Sequence, residues 1–233
     1  DKSKLKQELN PNFSVEKAHK MQQRLSEKLS FEDELPGVVK YIAGVDVAYF
    51  NGVSIGAVAV LDFSTLSMVE FQISHVETCC PYVPTLLSFR EIPPAVPVIK
   101  KLHVIPDVFL VDGQGFAHPY GLGFASHLGL ILEKPTVGVA KSILCGKTEK
   151  DSPEQQIRFL KMGKKIVGAE VVTRSGIKPV YVSVGHKISL DRAIKLVLFC
   201  TRNYRLPEPI RRAHIIANME KKESENFSLN TYR

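Results

Sequence analysis

In the stretch FLVDGQGFAHPYGLGFASHLG, residues 109–129, Asp112 stands between an apolar run and a glycine-rich loop that continues through Gly113, Gln114 and Gly115 to His118. Val108 to Val111, behind Pro106 and Asp107, has the composition of a strand buried on both faces. Taken alone, Asp112-Gly113 reads equally well as a turn dipeptide. In YIAGVDVAYF, Asp46 lies mid-strand among Val45, Val47 and Ala48. Aspartate is a poor strand former, and a buried carboxylate is costly unless paired or metal-bound. The plain alternative is that Asp46 faces solvent. In PYVPTLLSFREIPP, Glu91 closes a short helix beside Arg90, and the plain alternative is a solvated helix-end glutamate. Acids from a first strand, a helix and a later strand suit hard divalent cations, which prefer oxygen ligands. A pair of such ions ~4 Å apart can hold a phosphodiester, activate water and stabilise the leaving oxygen.

The elements that must position these acids are legible in outline. Residues 14–29 have helical spacing of Val15, Ala18, Met21, Leu25 and Leu29 behind a Ser14 cap, and Pro36-Gly37 ends the run. Three strands are expected at 40–49, 53–62 and 66–76, joined by turns short enough for an antiparallel meander. A short helix at 85–91 is expected to stop at Pro93-Pro94, with a second helix running to about Leu102. The strand before Asp112, a helix over 123–132 and a strand over 136–140 form a right-handed parallel crossover unit. Residues 146–164 read as a polar loop or excursion, 166–173 with 179–184 as a late hairpin, and 189–204 as a helix capped by Ser189. The tail from Lys221 reads as unstructured. This order gives a mixed α/β sheet covered by helices. In such sheets ligands gather at the carboxyl ends of parallel strands, where Asp112 and Lys141 lie.

The chain has 233 residues, 44% hydrophobic and 24% charged, enough to bury a substantial core as one unit with flexible ends at about 1–12 and 221–233. No run approaches the roughly 18–20 apolar residues that span a bilayer, and the charged N-terminal stretch shows no apolar signal segment. No membrane partner is therefore expected. The four cysteines lack zinc-site spacing or a disulfide framework, which points to a reduced, cytoplasmic setting. A net charge of +7 favours a polyanionic partner without identifying it.

The motifs AGVDVAYF, PYVPTLLSFRE, PDVFLVDGQGFAHP, GFASHLGL, PTVGVAKS, YVSVGHKISL and RLPEPIRRAHI resemble, in that order, those of the endonuclease V family, from about Ile42 to Ile215. The resemblance implies an RNase H-like fold and a Mg²⁺-dependent nuclease, with Mn²⁺ as a substitute. Its target would be deaminated adenine: deoxyinosine in DNA, inosine in RNA, or both. Cleavage would fall at the second phosphodiester 3′ to hypoxanthine, leaving 3′-hydroxyl and 5′-phosphate ends. Carried over by matching residues, Asp46, Glu91 and Asp112 are the metal-binding acids. Lys141 lies near the scissile phosphate and His214 near the metal centre; without the resemblance, His214 would read as a helix-surface histidine. Tyr82, within Pro81-Tyr82-Val83-Pro84, matches the family's strand-separating wedge. Paired prolines stiffen such a loop, and an aromatic ring can fill the gap left by an extruded base; the plain alternative is a core tyrosine.

His118 falls in the family's loop, whereas His186 reads as structural. The Gly113-Gln114-Gly115 loop allows main-chain groups to approach a flat base closely. Hypoxanthine presents an O6 acceptor and an N1–H donor, and adenine reverses both. Guanine differs from hypoxanthine only by its 2-amino group, so rejecting it requires a tight pocket. The expectation is a monomeric endonuclease acting on nucleic acid. Its rivals are an RNase H-like nuclease specific for junctions or flaps, and a module that binds inosine or single strands without cutting.

Overall fold

The computed structural model describes residues 14–148 and 156–231. The N-terminal segment expected to be flexible, 1–12, lies outside the described residues. The first helix, α1 (Val15–Ser26), begins where the Ser14 side chain accepts a hydrogen bond from the Lys17 N–H, and it ends a turn earlier than the apolar spacing suggests. Strands β1 (Tyr41–Phe50), β2 (Val53–Asp62) and β3 (Met68–Glu77) form the expected antiparallel meander. Asn51 and Gly52 both have positive φ, 43° and 76°, the conformation whose twist matches a tight hairpin.

One helix, α2 (Leu87–Lys100), then replaces the two that were expected. It runs through Pro93, Pro94 and Pro97, so the break at Pro93-Pro94 does not occur. Proline removes a helical donor and leaves the carbonyl four residues earlier unserved. For Pro93 that carbonyl belongs to Phe89, and the Cys79 thiol lies 3.5 Å from it. Packing supplies the rest: Pro94, Ala95, Val98 and Ile99 are buried against the sheet. Tertiary burial outweighs the local penalty.

Strand β4 (Val108–Asp112), helix α3 (Phe124–Leu132) and strand β5 (Thr136–Ala140) are the expected crossover unit, and β4 pairs parallel with both β1 and β5. Residues 146–164, expected as loop, contain β6 (Lys147–Thr148) and β7 (Ile157–Met162). With a single buried residue, Leu160, and the rest half-buried or exposed, this strand carries no clear apolar alternation. Strands β8 (Lys165–Val171) and β9 (Val180–His186) form the late hairpin, with β7 added on its outer side. Helix α4 (Leu190–Cys200) is capped by Ser189, which accepts from Arg192 N–H, and ends before the expected Tyr204. Helix α5 (Glu208–Thr231) carries on through the segment from Lys221 that read as unstructured.

The sheet is nine-stranded, in the order β3-β2-β1-β4-β5-β9-β8-β7-β6. This is the mixed α/β sheet flanked by helices that the sequence implied. Its two faces bury separate cores. Ile42, Leu110, Val137 and Val182 face α4 and α5, while Ala43, Val45, Phe109 and Val111 face α2 and α3. Among the described residues no helix is long and apolar enough to cross a membrane.

Candidate active site and metal centre

Register and side-chain alternation bring the acids together. The parallel pairing of β1 with β4 sets Val45 beside Val111, so Asp46 and Asp112 follow as neighbours at the same strand ends. Side chains alternate faces along a strand, so Asp46 lies on the face of Ile42 and Gly44, and Asp112 on that of Leu110. That is the α5 face. Gly44 is where α5 seats: a Cβ there would overlap the Pro209 carbonyl. With the helix drawn in at its start, His214 arrives a turn later, its Nδ1 2.7 Å from Asp46 Oδ2 and 4.0 Å from Asp112 Oδ2.

Asp46, Asp112 and His214 each offer a ligand atom, all within 4.8 Å of one another. Glu91, on α2, lines the same cleft, of about 460 Å³. It is buried, and its Oε2 has no hydrogen-bond partner. Burial first, then the charges of Asp46 and Asp112, push its carboxyl well above the ordinary range, against the pull of Arg90. Asp112 is also raised, chiefly by burial and then by Asp46, with Lys141 and His214 opposing. Lys141, just past the end of β5, sets its Nζ 2.5 Å from Asp112 Oδ2. The hydrogen bond to Asp46 is the main influence raising the His214 imidazole.

Two carboxyls held above their ordinary range, one of them with a buried oxygen that has no partner, describe a site built for added positive charge. Oxygen donors with one imidazole fit a hard divalent cation. Glu91 is not in the tightest ligand group, and His214, expected only near the metal, is.

The proposed recognition residues divide between two cavities. Tyr82 is 61% exposed, which excludes the core alternative, and it borders both the cleft and a smaller cavity of about 90 Å³. Pro84, Gly113, Gln114 and His118 line the smaller cavity with Leu144 and Phe124. Gly113 has φ 159°, a positive value that residues with a Cβ rarely adopt, although a Cβ there would make only ordinary contact with Phe124 at 3.4 Å. Its N–H donates to Val139, and the Gln114 carbonyl accepts from Ala125 N–H. These bonds leave over the Gly113 carbonyl and the Gln114 N–H.

Three of the expected base-contact residues lie elsewhere. Gly115 is buried against β9, its N–H bonded to Ser183 Oγ, and a Cβ would overlap the Val184 carbonyl. Pro81 borders a separate cavity, and Val83 borders neither the cleft nor the small pocket. The His118 ring borders the pocket but is held by Tyr120 N–H and by the Thr85 backbone; burial is the main cause that pushes its pKa down to about 4. His186 is structural as expected, its Nδ1 accepting from Ser30 N–H.

Sequence reading missed Asn218 and Lys221, which line the cleft from α5. Asn218 Nδ2 is 3.2 Å from His214 Nε2. The signal was the four-residue step after His214, hidden once the chain from Lys221 was read as a tail. It also missed Gly138 on β5, where a Cβ would press into the Gly113–Gly115 loop.

The family model for Endonuclease V matches residues 23–215. The endonuclease V of Rippkaea orientalis is 44% identical over 218 residues, 92% of this chain and 95% of that protein. The crystal structure of the Streptomyces avermitilis endonuclease V superposes with TM-score 0.84 at 37% identity, covering 91% of this chain and 95% of that one. That of the Ciona intestinalis endonuclease V, in complex with a 24mer DNA containing an inosine followed by a ribo-adenosine, gives TM-score 0.81 at 29% identity, covering 90% and 98%.

Proposed function

The chain belongs to the endonuclease V family, and from that premise we propose that it is a divalent-metal-dependent endonuclease that recognises hypoxanthine and cuts the second phosphodiester on its 3′ side, leaving 3′-hydroxyl and 5′-phosphate ends. The observation that carries this reading is the cleft in which Asp46, Asp112, Glu91, Lys141 and His214 converge beside a small apolar pocket. Asp46 and Asp112 hold the metal, with Glu91 completing its surroundings; His214 is placed to share it. Mg²⁺ is the ion assigned here, with Mn²⁺ as its substitute. When bound, it lowers the barrier by polarising the phosphodiester and favouring deprotonation of the attacking water.

The chain's own groups do the remainder. Lys141, 41% exposed at its side chain, reaches from Asp112 toward the open cleft and can meet a phosphate oxygen. His214 Nδ1 lies 2.7 Å from Asp46 Oδ2, and its Nε2 lies 3.2 Å from Asn218 Nδ2. The 61% exposed Tyr82 stacks in the gap left by an extruded base, and the base enters the pocket bounded by Gly113 and Gln114. One chain supplies the whole site, and we assign it to a single catalytic unit acting as a monomer inside the cell, with its four cysteines as free thiols.

The test is side-by-side incubation with Mg²⁺ of a deoxyinosine duplex, an inosine RNA, and undamaged flap and junction DNA. Cleavage confined to the inosine-containing strands, one bond beyond the neighbouring nucleotide, is the expected result. Equal cutting of the undamaged junctions would reassign the site to a structure-specific nuclease.

A further inference from the structure

We infer that Cys79 and Cys80 form a thiol-oxidation site that closes to a reversible disulfide and thereby withdraws the Pro81–Pro84 loop from nucleic acid. The inference rests in part on the wedge reading of Tyr82. The two thiols lie 3.5 Å apart at the wall of a cavity of about 520 Å³, which Pro81, Tyr49 and Arg90 also border. Cys79 is exposed and Cys80 half-buried, whereas Cys200 is buried. Tyr49, with Arg90 4.2 Å from its ring centroid, borders both this cavity and the catalytic cleft. The pair is therefore reachable by a solute and adjoins the cleft without taking part in it.

The thiols are also tied to the machinery on both sides. Tyr82 follows Cys80 by only two positions, and Pro81 between them transmits any backbone change. The Cys79 thiol lies 3.5 Å from the Phe89 carbonyl, the one that Pro93 leaves without its helical donor. Glu91 follows two residues later on α2. Oxidation removes the Cys79 S–H and so orphans that carbonyl.

An oxidant of the disulfide class, oxidised glutathione, suffices for the step. Cys79 sulfur attacks one glutathione sulfur; a Cys79–glutathione bond forms, the glutathione S–S bond breaks, and one glutathione leaves as its thiol. Cys80 sulfur then attacks Cys79 Sγ and expels the second glutathione. The two cysteines lose two electrons and two protons, and the two released glutathiones carry them. In the reduced pair the Cys80 thiol is pushed up to about 12 by burial first and then by Cys79, with Arg90 opposing. Capping Cys79 removes its contribution and leaves Arg90 to favour the Cys80 thiolate. The product is readily reversed, because Cα atoms joined by a trans peptide sit about 3.8 Å apart, closer than the ~4.4–6.8 Å usual for disulfides. Strained disulfides are the labile ones.

The experiment equilibrates the full chain, with Cys145→Ser to remove the other reachable thiol, across a series of reduced-to-oxidised glutathione ratios. Mass spectrometry of the peptide containing Cys79 and Cys80 reads the disulfide as a loss of two hydrogens. Binding to an inosine oligonucleotide in Ca²⁺ reads the loop. The expected result is a disulfide that appears and reverses with the ratio, accompanied by roughly tenfold weaker binding, or ~1.4 kcal/mol. Cys79→Ser and Cys80→Ser should each bind like the reduced protein before oxidant is added, and neither should show the two-hydrogen loss with it; Cys80→Ser should instead stop at the Cys79–glutathione adduct. Stable glutathione adducts without ring closure, a disulfide with unchanged affinity, or an oxidant response that survives in the double serine variant would each overturn the inference. Tyr82→Ala is measured alongside: normal affinity in that variant removes the wedge reading, while reversible weakening of the Tyr82-containing protein by the disulfide still stands as the result for the cysteines.

Discussion

The His214 Nδ1 lies 2.7 Å from Asp46 Oδ2, joining residues 168 positions apart. The contact depends on Gly44, two residues before Asp46, because the start of α5 occupies the space a side chain would need. Gly44→Ala should force the helix outward. Overpacking typically costs about 1–3 kcal/mol, and the backbone here cannot yield as a side-chain end could. The expected outcome is a lower melting temperature together with a loss of cleavage larger than partial unfolding explains. A stable Gly44→Ala protein with wild-type cleavage would show that the seating of α5 does not control His214.

Asp46→Ala and Asp112→Ala should each abolish cleavage in Mg²⁺ yet retain most substrate affinity, since phosphate contacts from basic residues supply much of the binding. Chelation should silence the wild type, and Ca²⁺, larger and looser in geometry, should permit binding with little turnover. Calorimetric titration of Mn²⁺ separates this from misfolding: a folded Asp112→Ala protein should lose Mn²⁺ heat and cleavage together. Wild-type cleavage by Asp112→Ala would remove the metal assignment.

Much of this centre was legible because strand periodicity and strand ends are local properties. Asp46 and Asp112 could be placed from the runs around them, and the sheet then brought them together. The helix through Pro93 and Pro94 was not legible, because its stability comes from the sheet it packs on. Nor was β7, whose exposed residues make sense only beside β8. Gly115 was read as a base contact from its position in the loop, but only the neighbouring β9 carbonyl reveals why it must be glycine. His214 needed the family resemblance, since no local pattern distinguishes a helix-surface histidine from one brought against a carboxylate.

The raised carboxyls of Glu91 and Asp112 give a pH dependence with a definite sign. A folded chain that retains protons the unfolded chain releases is fully stabilised below the ordinary carboxylate value, 4.5 for Glu91, and loses that stability as pH rises through the folded value. His118 and His127, both pushed down to about 4 by burial, act oppositely: their contribution is present above the ordinary histidine value of 6.5 and lost as pH falls toward 4. Comparing a variant with wild type cancels the histidine part. Metal-free Glu91→Gln should therefore melt with a flatter decline than metal-free wild type as pH rises above the ordinary carboxylate value of 4.5, and Mg²⁺ should stabilise wild type more at the upper end. Parallel slopes for the two metal-free proteins would show that Glu91 ionises normally.

Tyr82 offers its ring to the cleft from a loop with Pro81 and Pro84 at either side, and it is 61% exposed. Tyr82→Ala should weaken binding of an inosine oligonucleotide by ~1–3 kcal/mol, the range for a lost base–aromatic stack. Mn²⁺ affinity should be unchanged, because the ring supplies no ligand. Tyr82→Phe should restore binding if stacking is the operative contact; failure of that rescue would transfer the role to the hydroxyl.

The pocket beside the metal centre makes the sharpest prediction about specificity. Its free volume is about 90 Å³, and the Gly113 carbonyl and Gln114 N–H are the main-chain groups the loop's own bonds leave over. A donor and an acceptor side by side suit hypoxanthine, whose O6 accepts and N1–H donates. Adenine offers the reverse at both positions and should be cut poorly. Guanine matches both, so its discrimination must come from the space denied to its 2-amino group. Gly113→Val tests the wall directly: the Cβ itself fits against Phe124, and the added methyls fill the pocket. The positive φ of 159° is one that residues with a Cβ rarely adopt, so Gly113→Ala, which carries the same backbone strain without the added methyls, is the control: both variants should lose stability, and both should keep Mn²⁺ binding. Single-turnover cleavage of matched substrates carrying hypoxanthine, guanine or adenine should rank in that order for wild type, and Gly113→Val should lose hypoxanthine-directed cutting. Equal wild-type rates on all three bases would take base reading away from this loop and leave a nuclease guided by nucleic-acid shape.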